Sequence, residues 1–227
     1  IMEIRSIILT TLLACLGVIL HAQTEIRTAE ELAAINTDVV SLKERYILMN
    51  DLTVENWTPI GDEGQPFLGQ FDGNGHTITI LSIGKVCSAP YNMKSKKAIP
   101  AIETSYIGVF GFNGRRSMIQ NLQVSGEIIF ESNHNIMAGG ITGANYGTVR
   151  NCISDVSVNI EGVISRHNGE TDPDNSGDCF AGGITGINNG IIRNCYSTGD
   201  MTAGGGLFNY AGGITGLNDF DEGIIQW

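Results

Sequence analysis

The chain has 227 residues, 13 of them lysine or arginine and 24 aspartate or glutamate, and its formal net charge is −11. This charge argues against a nucleic-acid binder that neutralises phosphates, because such a surface repels polyanions. The hydrophobic fraction of 42% excludes a mainly disordered chain, and the 30 glycines predict many tight turns.

Residues 1–22 have the pattern of a secretory signal peptide. Arg5 precedes an apolar run from Ile7 to Leu20, and the small residue Ala22 follows. This run is shorter than the ~20 residues that a membrane-spanning helix needs. We therefore expect a protein that is secreted or held on the outer cell surface, with no transmembrane segment in the mature chain. A lipoprotein anchor at Cys15 is the weaker alternative, because apolar residues continue past it.

Residues 23–66 are predicted to form an N-terminal cap. Thr28 and Glu31 have the spacing of a capping box, which predicts a short helix that buries Leu32. A strand is predicted next, at residues 46–49. We expect this helix and strand to cover the open end of the domain that follows.

Residues 67–227 contain internal repeats. The block Ala-Gly-Gly-Ile-Thr-Gly-x-Asn starts at Ala138, Ala181 and Ala211, and a degenerate copy occupies residues 107–113. A second apolar block follows each copy. A unit of about 30 residues with short β-rich blocks and glycine corners predicts a stacked solenoid, the all-β parallel β-helix. The last copy breaks off at residue 227, which predicts a C-terminally truncated chain.

The repeats resemble the GLUG family of exported bacterial proteins, which is common in Bacteroidetes. The resemblance is carried by the string Gly-Gly-Ile-Thr-Gly-x-Asn with Gly-x-Ile-Arg-Asn-Cys-Tyr-Ser-Thr-Gly at residues 182–199, and by the preceding segment at residues 71–78. It implies a right-handed β-solenoid. Such solenoids occur in adhesin-like surface proteins and in the stalks of metallopeptidases that cleave immunoglobulin A. The family supplies no catalytic residues.

The sequence therefore favours a non-catalytic, adhesin-like surface module whose partner is a glycan or a host or cell-surface protein. One alternative is the stalk or accessory region of a larger secreted metallopeptidase. A less favoured one is a glycan-active lyase or hydrolase, which needs carboxylates gathered on one face. Asp155 and Asp200 are close to each other in the repeat alignment, but surface acids are common on β-solenoids.

Arg150 and Arg193 occupy equivalent outward positions in consecutive repeats. Two adjacent guanidinium groups could hold an anionic glycan, because arginine binds carboxylates with two parallel hydrogen bonds. The alternative is that neighbouring aspartate and glutamate side chains neutralise the pair.

Two long insertions leave the solenoid at the same junction, so we expect them to form one surface. The first, residues 85–105, carries binding candidates in an otherwise acidic protein: Tyr91, Lys94, Lys96 and Lys97. The second, residues 159–178, has the oxygen-ligand spacing of a calcium loop at Asp172, Asp174, Ser176 and Asp178. Residue 183 is glycine where a calcium loop has glutamate, so an acidic surface loop is the alternative. No other cofactor is expected.

Two recurring residue types are interpreted as structural. Cys152 and Cys195 align with Leu81 and Leu122 in an apolar inward slot, which favours buried thiols over a disulfide. Asparagines precede that slot where the apolar alternation changes phase. Their amides are expected to stack at a corner of the solenoid, at Asn121, Asn151 and Asn194.

Overall fold

The computed structural model describes residues 23–84, 88–90, 103–163, 166–167, 170–171, 177–219 and 222–226. Within these residues the chain forms 24 strands, one short α-helix, α1 (Ala29–Ala34), and a single 3-10 turn at Ser41–Lys43. The predicted all-β class is confirmed.

Most strands lie in four sheets. Sheet 1 contains β1 (Thr24–Ile26), β2 (Arg45–Leu48), β4 (Gln70–Asp72), β9 (Met118–Gln120), β13 (Thr148–Arg150), β19 (Ile191–Arg193) and β24 (Ile224–Gln226). Sheet 2 contains β3 (Leu52–Val54), β5 (Thr77–Ile80), β10 (Gln123–Ser132), β14 (Ile153–Gly162), β20 (Tyr196–Ser197) and β21 (Met201–Gly204). Sheet 3 contains β6 (Ser88–Pro90), β7 (Glu103–Ile107), β11 (Asn135–Gly139), β17 (Cys179–Gly182) and β22 (Asn209–Gly212). Sheet 4 contains β8 (Phe110–Asn113), β12 (Thr142–Asn145), β18 (Thr185–Asn188) and β23 (Thr215–Asn218). The remaining two strands, β15 (Arg166–His167) and β16 (Glu170–Thr171), form an antiparallel pair.

Each sequence repeat passes through the four sheets in one order. In the central repeat β11 lies in sheet 3, β12 in sheet 4, β13 in sheet 1 and β14 in sheet 2. The strands β7 to β10 and β17 to β20 follow the same order, and each pairs in parallel with its equivalent in the central repeat. Equivalent residues are therefore stacked about 4.8 Å apart, one strand spacing.

The core consists of rows of apolar side chains that run along these stacks. In sheet 1 the central residues of β4, β9, β13 and β19 are in register and buried, and these are Phe71, Ile119, Val149 and Ile192. Ile141 and Ile184 are fully buried, and the N–H of each donates to the equivalent carbonyl of the next repeat, at 3.0 and 2.9 Å. The predicted stack of Ile141, Ile184 and Ile214 is thus confirmed. Each buried aliphatic side chain stabilises the fold by about 1.5–3 kcal/mol.

Asparagines turn the chain between sheet 1 and sheet 2. Asn121, Asn151 and Asn194 have φ values of 53°, 53° and 51°, a left-handed conformation that asparagine tolerates better than most residues. The amide of Asn151 donates to the Oδ1 of Asn121, and that of Asn194 to the Oδ1 of Asn151, both at 3.3 Å. The predicted corner and its amide stack are confirmed.

A second asparagine row is buried at the end of sheet 4. Asn113 donates to Asn145 at 2.7 Å, Asn145 to Asn188 at 2.8 Å, and Asn188 to Asn218 at 2.7 Å, each through Nδ2 to the next Oδ1. The first three side chains are fully buried. Since a buried amide is costly without partners, this chain of hydrogen bonds fixes the register of neighbouring repeats.

The N-terminal segment has the predicted helix. The Oγ1 of Thr28 accepts from the N–H of Glu31 at 3.2 Å, and the Glu31 carboxylate accepts from the N–H of Thr28 at 3.3 Å. This capping box begins α1, and Leu32 is fully buried. The strands β1 and β2 continue sheet 1, because β2 pairs with β4.

Replacing Thr28 by alanine should lower the free energy of unfolding by about 1 kcal/mol, since the first turn of α1 loses its side-chain acceptor. Thr28→Ser keeps the acceptor and should cost much less. Urea unfolding of both variants measures the difference. Equal losses would show that the threonine methyl group, not the cap, stabilises this end.

Candidate functional site

The outer face of sheet 1 carries the predicted arginine pair. Because side chains alternate along a strand, the residues on either side of the buried central row point away from the core. On the last four strands these residues form what we call the arginine face: Met118, Gln120, Thr148, Arg150, Ile191, Arg193, Ile224 and Gln226.

Arg150 and Arg193 are directly opposite each other in the β13–β19 pair, as the repeat alignment predicted. The Nε of Arg150 donates to the Oε1 of Gln120 at 2.9 Å, on the preceding strand. The Nε of Arg193 donates to the Oε1 of Gln226 at 3.0 Å, on the following strand. The two guanidinium groups therefore turn in opposite directions, and each is held by a neutral amide.

No carboxylate lies within 4.0 Å of either guanidinium group among the described residues. Within the described residues, the predicted alternative of neutralisation by neighbouring aspartate and glutamate side chains does not occur. Each glutamine accepts through one oxygen from Nε and Nη2, which leaves three of the five guanidinium N–H groups for another acceptor. The glutamines therefore hold both guanidinium groups in fixed orientations, and no described carboxylate neutralises their positive charges.

Two further arginines border this face and were not singled out from the sequence. Arg115 and Arg116 precede β9 and, with Thr148 and Ile191, line an open hollow of about 600 Å³. Arg115 forms an ion pair with Glu222, whereas no ion pair involves Arg116 within the described chain. In the sequence, only the pair of adjacent arginines pointed to this border. The degenerate repeat at residues 107–113 is followed by no arginines that recur at equivalent positions in other repeats.

The remaining predicted binding residues lie outside the described residues. These are Tyr91, Lys94, Lys96 and Lys97 in the first insertion, and Asp172, Asp174 and Ser176 in the second. Their common surface and the calcium loop stay predictions.

Asp178 is the one predicted calcium ligand within the described residues. Its Oδ1 accepts from the N–H of Phe208 at 3.2 Å, so that carboxylate links two neighbouring repeats. Burial raises the pKa of Asp178. The described part of the chain contains no group of three histidine, cysteine, aspartate or glutamate side chains placed to hold a metal ion.

Cys152 and Cys195 are buried free thiols, as the sequence favoured. Their Sγ atoms lie 3.2 and 3.3 Å from the carbonyl oxygens of Arg150 and Arg193. Burial raises the pKa of Cys152, so its thiolate is disfavoured. Both thiols lie on the core side of the strands that carry the arginines.

The chain has few recognisable relatives among known proteins. No family model matches the chain, and no solved structure matches it. A protein of Evansella cellulosilytica, named as a Gly-rich membrane protein, is 33% identical over 104 residues. That match covers 46% of this chain and 10% of the relative, so the chain corresponds to a small part of the relative's length. Among the described residues, no helix has the length and apolar character required to cross a membrane.

Proposed function

We propose that this chain is an exported, non-catalytic surface module built as a right-handed parallel β-helix, whose arginine face binds acidic glycans. The GLUG-like repeats and the signal-like N terminus support export and a place on the cell surface. The parallel pairing of equivalent strands, and the fixed order in which the repeats pass through four sheets, support the β-helix part of the proposal.

The arginine pair is the observation that carries the glycan proposal. Arg150 and Arg193 are held one strand apart with free donors and no carboxylate among their described neighbours. Uronic acids and sulfated sugars present anionic groups at regular spacing along a polymer, and two neighbouring guanidinium groups can engage them together.

The net charge of −11 does not oppose this proposal, because screening limits exposed charges to a range of about 8–10 Å. Within that range the arginine face presents Arg150 and Arg193, with Arg115 and Arg116 at its border. The acidic residues elsewhere on the chain would repel polyanions that bind only through their overall negative charge.

Replacing both Arg150 and Arg193 by glutamine should weaken binding to polygalacturonate about tenfold, which corresponds to about 0.7 kcal/mol for each exposed ion pair. Isothermal titration calorimetry at low salt measures the change. Wild-type affinity should also fall steeply as salt is added.

The matched control is Arg45→Gln. Arg45 is exposed on sheet 1 and bonds Gln70 with the same geometry, at 3.0 Å from Nε, but no second arginine stands beside it. Its replacement should leave affinity within twofold. Equal binding of polygalacturonate and its neutral methyl ester would contradict recognition of the acid, and no binding of either would favour the stalk alternative.

A further inference from the structure

The turns that lead from sheet 4 into sheet 1 differ in length. The register aligns the asparagines after which these turns begin, which are Asn113, Asn145, Asn188 and Asn218. It also aligns the residues at which the turns end, which are Met118, Thr148, Ile191 and Ile224. The first and last turns therefore contain more residues than the two between them, 146–147 and 189–190. The short turns form the floor of a hollow, and residues of the long turns line it on either side.

We call this space of about 600 Å³ the corner hollow. The long turns contribute Arg115 and Arg116 on one side and Glu222 on the other. The Nη2 of Arg115 donates to the Oε2 of Glu222, so this ion pair links the two sides across the short turns. Arg116 is exposed and forms no ion pair with a described residue. The charge of Arg115 is therefore balanced, whereas no described carboxylate balances that of Arg116.

The backbone of Arg116 is unusual. Its φ of 73° lies in the left-handed region. The other non-glycine residues with positive φ in the described chain are all asparagines, at positions 56, 74, 121, 151 and 194. Asparagine tolerates this conformation better than arginine does, and backbone strain of this kind concentrates at functional sites. The turn therefore gives no reason for an arginine at this position, and a contact made by its exposed side chain would give one.

The corner hollow is continuous with the arginine face. Thr148 and Ile191 line the hollow and also belong to that face. They stand two residues before Arg150 and Arg193 on the same strands, so their side chains point in the same direction as the two arginines. A ligand held by the arginine pair can therefore extend along the strands into the hollow.

The distance along this path limits the length of such a ligand. Arg116 precedes Gln120, the residue that holds Arg150, by only a few positions in the chain. Even in a fully extended strand their separation is at most about 13 Å, which corresponds to about three linked sugars.

We propose that the corner hollow extends the glycan site, and that Arg116 binds the anionic group of the third sugar in an acidic oligosaccharide anchored on the arginine pair. The sugar chain runs along the strands, perpendicular to the stack of repeats. Guanidinium binds carboxylate or sulfate oxygens with paired hydrogen bonds. This inference rests on the proposed glycan function, because Arg150 and Arg193 provide the anchor.

Calorimetry at low salt with galacturonate oligomers of defined length tests this proposal. Wild-type protein should bind trigalacturonate at least about threefold more tightly than digalacturonate, because the third sugar adds one exposed ion pair. The same two lengths prepared from a sulfated galactan show whether the group bound by Arg116 is a carboxylate or a sulfate. The series with the larger gain identifies the anion.

Arg116→Asn separates binding from stability. Asparagine suits the left-handed backbone, so the melting temperature should stay the same or rise. The gain on adding the third sugar should disappear, and the two oligomers should bind with equal affinity. A role for Arg116 in the turn alone predicts the reverse, a lower melting temperature and an unchanged gain.

Glu222→Gln is the variant that should improve binding. It removes the one carboxylate in the described lining of the corner hollow and releases Arg115. Affinity for trigalacturonate should rise about threefold. The matched control is Glu25→Gln, which also removes one negative charge and releases an arginine, Arg27, near the opposite end of sheet 1. The control should leave the affinity for both oligomers unchanged.

The outcomes distinguish this inference from the proposed function. If the wild-type protein binds neither oligomer, the glycan function itself is wrong. If it binds both, and replacement of Arg150 and Arg193 weakens them, the glycan function stands. In that case, an unchanged gain in Arg116→Asn, or no increase in affinity for trigalacturonate in Glu222→Gln, would overturn the role of the corner hollow.

Discussion

Replacing Asn145 by aspartate should lower the free energy of unfolding by about 4 kcal/mol at pH 7, the cost of leaving a buried charge without compensation. The Nδ2 of Asn145 donates to the Oδ1 of Asn188 at 2.8 Å, and its Oδ1 accepts from Asn113 and from the N–H of Gly147. A carboxylate keeps the accepted bonds but sets a negative oxygen against the oxygen of Asn188. Urea unfolding monitored by circular dichroism measures the loss.

The loss should shrink at low pH. The protonated acid can donate to Asn188 as the amide does, so the folded state favours it and raises the pKa of the new carboxyl above the unfolded value of about 3.9. A group with a raised folded pKa stabilises the fold at low pH and loses that contribution as the pH rises through the folded value. The difference from wild type should therefore decrease between pH 7 and pH 4.

Asn151→Asp is the matched control for this prediction. Asn151 belongs to the exposed corner row, with bonds of 3.3 Å to Asn121 and Asn194, and aspartate also tolerates its φ of 53°. We expect a cost below about 1 kcal/mol with little pH dependence. Similar losses at positions 145 and 151 would contradict the structural distinction between the two rows.

These two rows show how far the repeats predict the fold. The corner row could be predicted, because the alternation of apolar residues changes phase at Asn121, Asn151 and Asn194. The buried row lies within the glycine-rich block, where every position recurs. Asn145 forms a hydrogen bond to the next repeat, whereas other residues of the block only turn the chain. Because both kinds of residue recur, their recurrence does not show which of them forms the bond.

The alignment of the cysteine slot was partly wrong. Leu122, Cys152 and Cys195 are buried, as predicted, but Leu81 is 59% exposed. The register ends with Ile80 paired to Gly126, which places Leu81 just after β5. The earliest repeats diverge in sequence, so recurrence alone does not identify which residue of these repeats lies in the slot.

The candidate site was predicted only where repeats could be compared. Arg150 and Arg193 recur in two copies, and the β13–β19 pair places them side by side. Their partners Gln120 and Gln226 lie in degenerate copies, so their role depends on register and could not be predicted from recurrence.

Gly183→Ala should destabilise the protein by about 3 kcal/mol, because Ser197 of the same repeat and Gly213 of the next repeat leave no space for a methyl group. A Cβ at this position would lie 2.5 Å from the Cβ of Ser197, and closer still to its Oγ and to the carbonyl oxygen of Gly213. The Ser197 hydroxyl is buried and has no hydrogen-bond partner in the described structure.

The repeat itself supplies the control. Gly213 occupies the same place in the Ala-Gly-Gly-Ile-Thr-Gly block, but a Cβ there meets no heavy atom within 4 Å, and its backbone is not left-handed. Gly213→Ala should leave stability unchanged or raise it slightly, since alanine restricts the unfolded chain. The melting temperatures of the two variants therefore distinguish a steric clash at the crowded position from an effect of alanine on the backbone conformation alone. A similar loss at both positions would mean that the glycines serve the turn alone, and that contact between successive repeats does not require them.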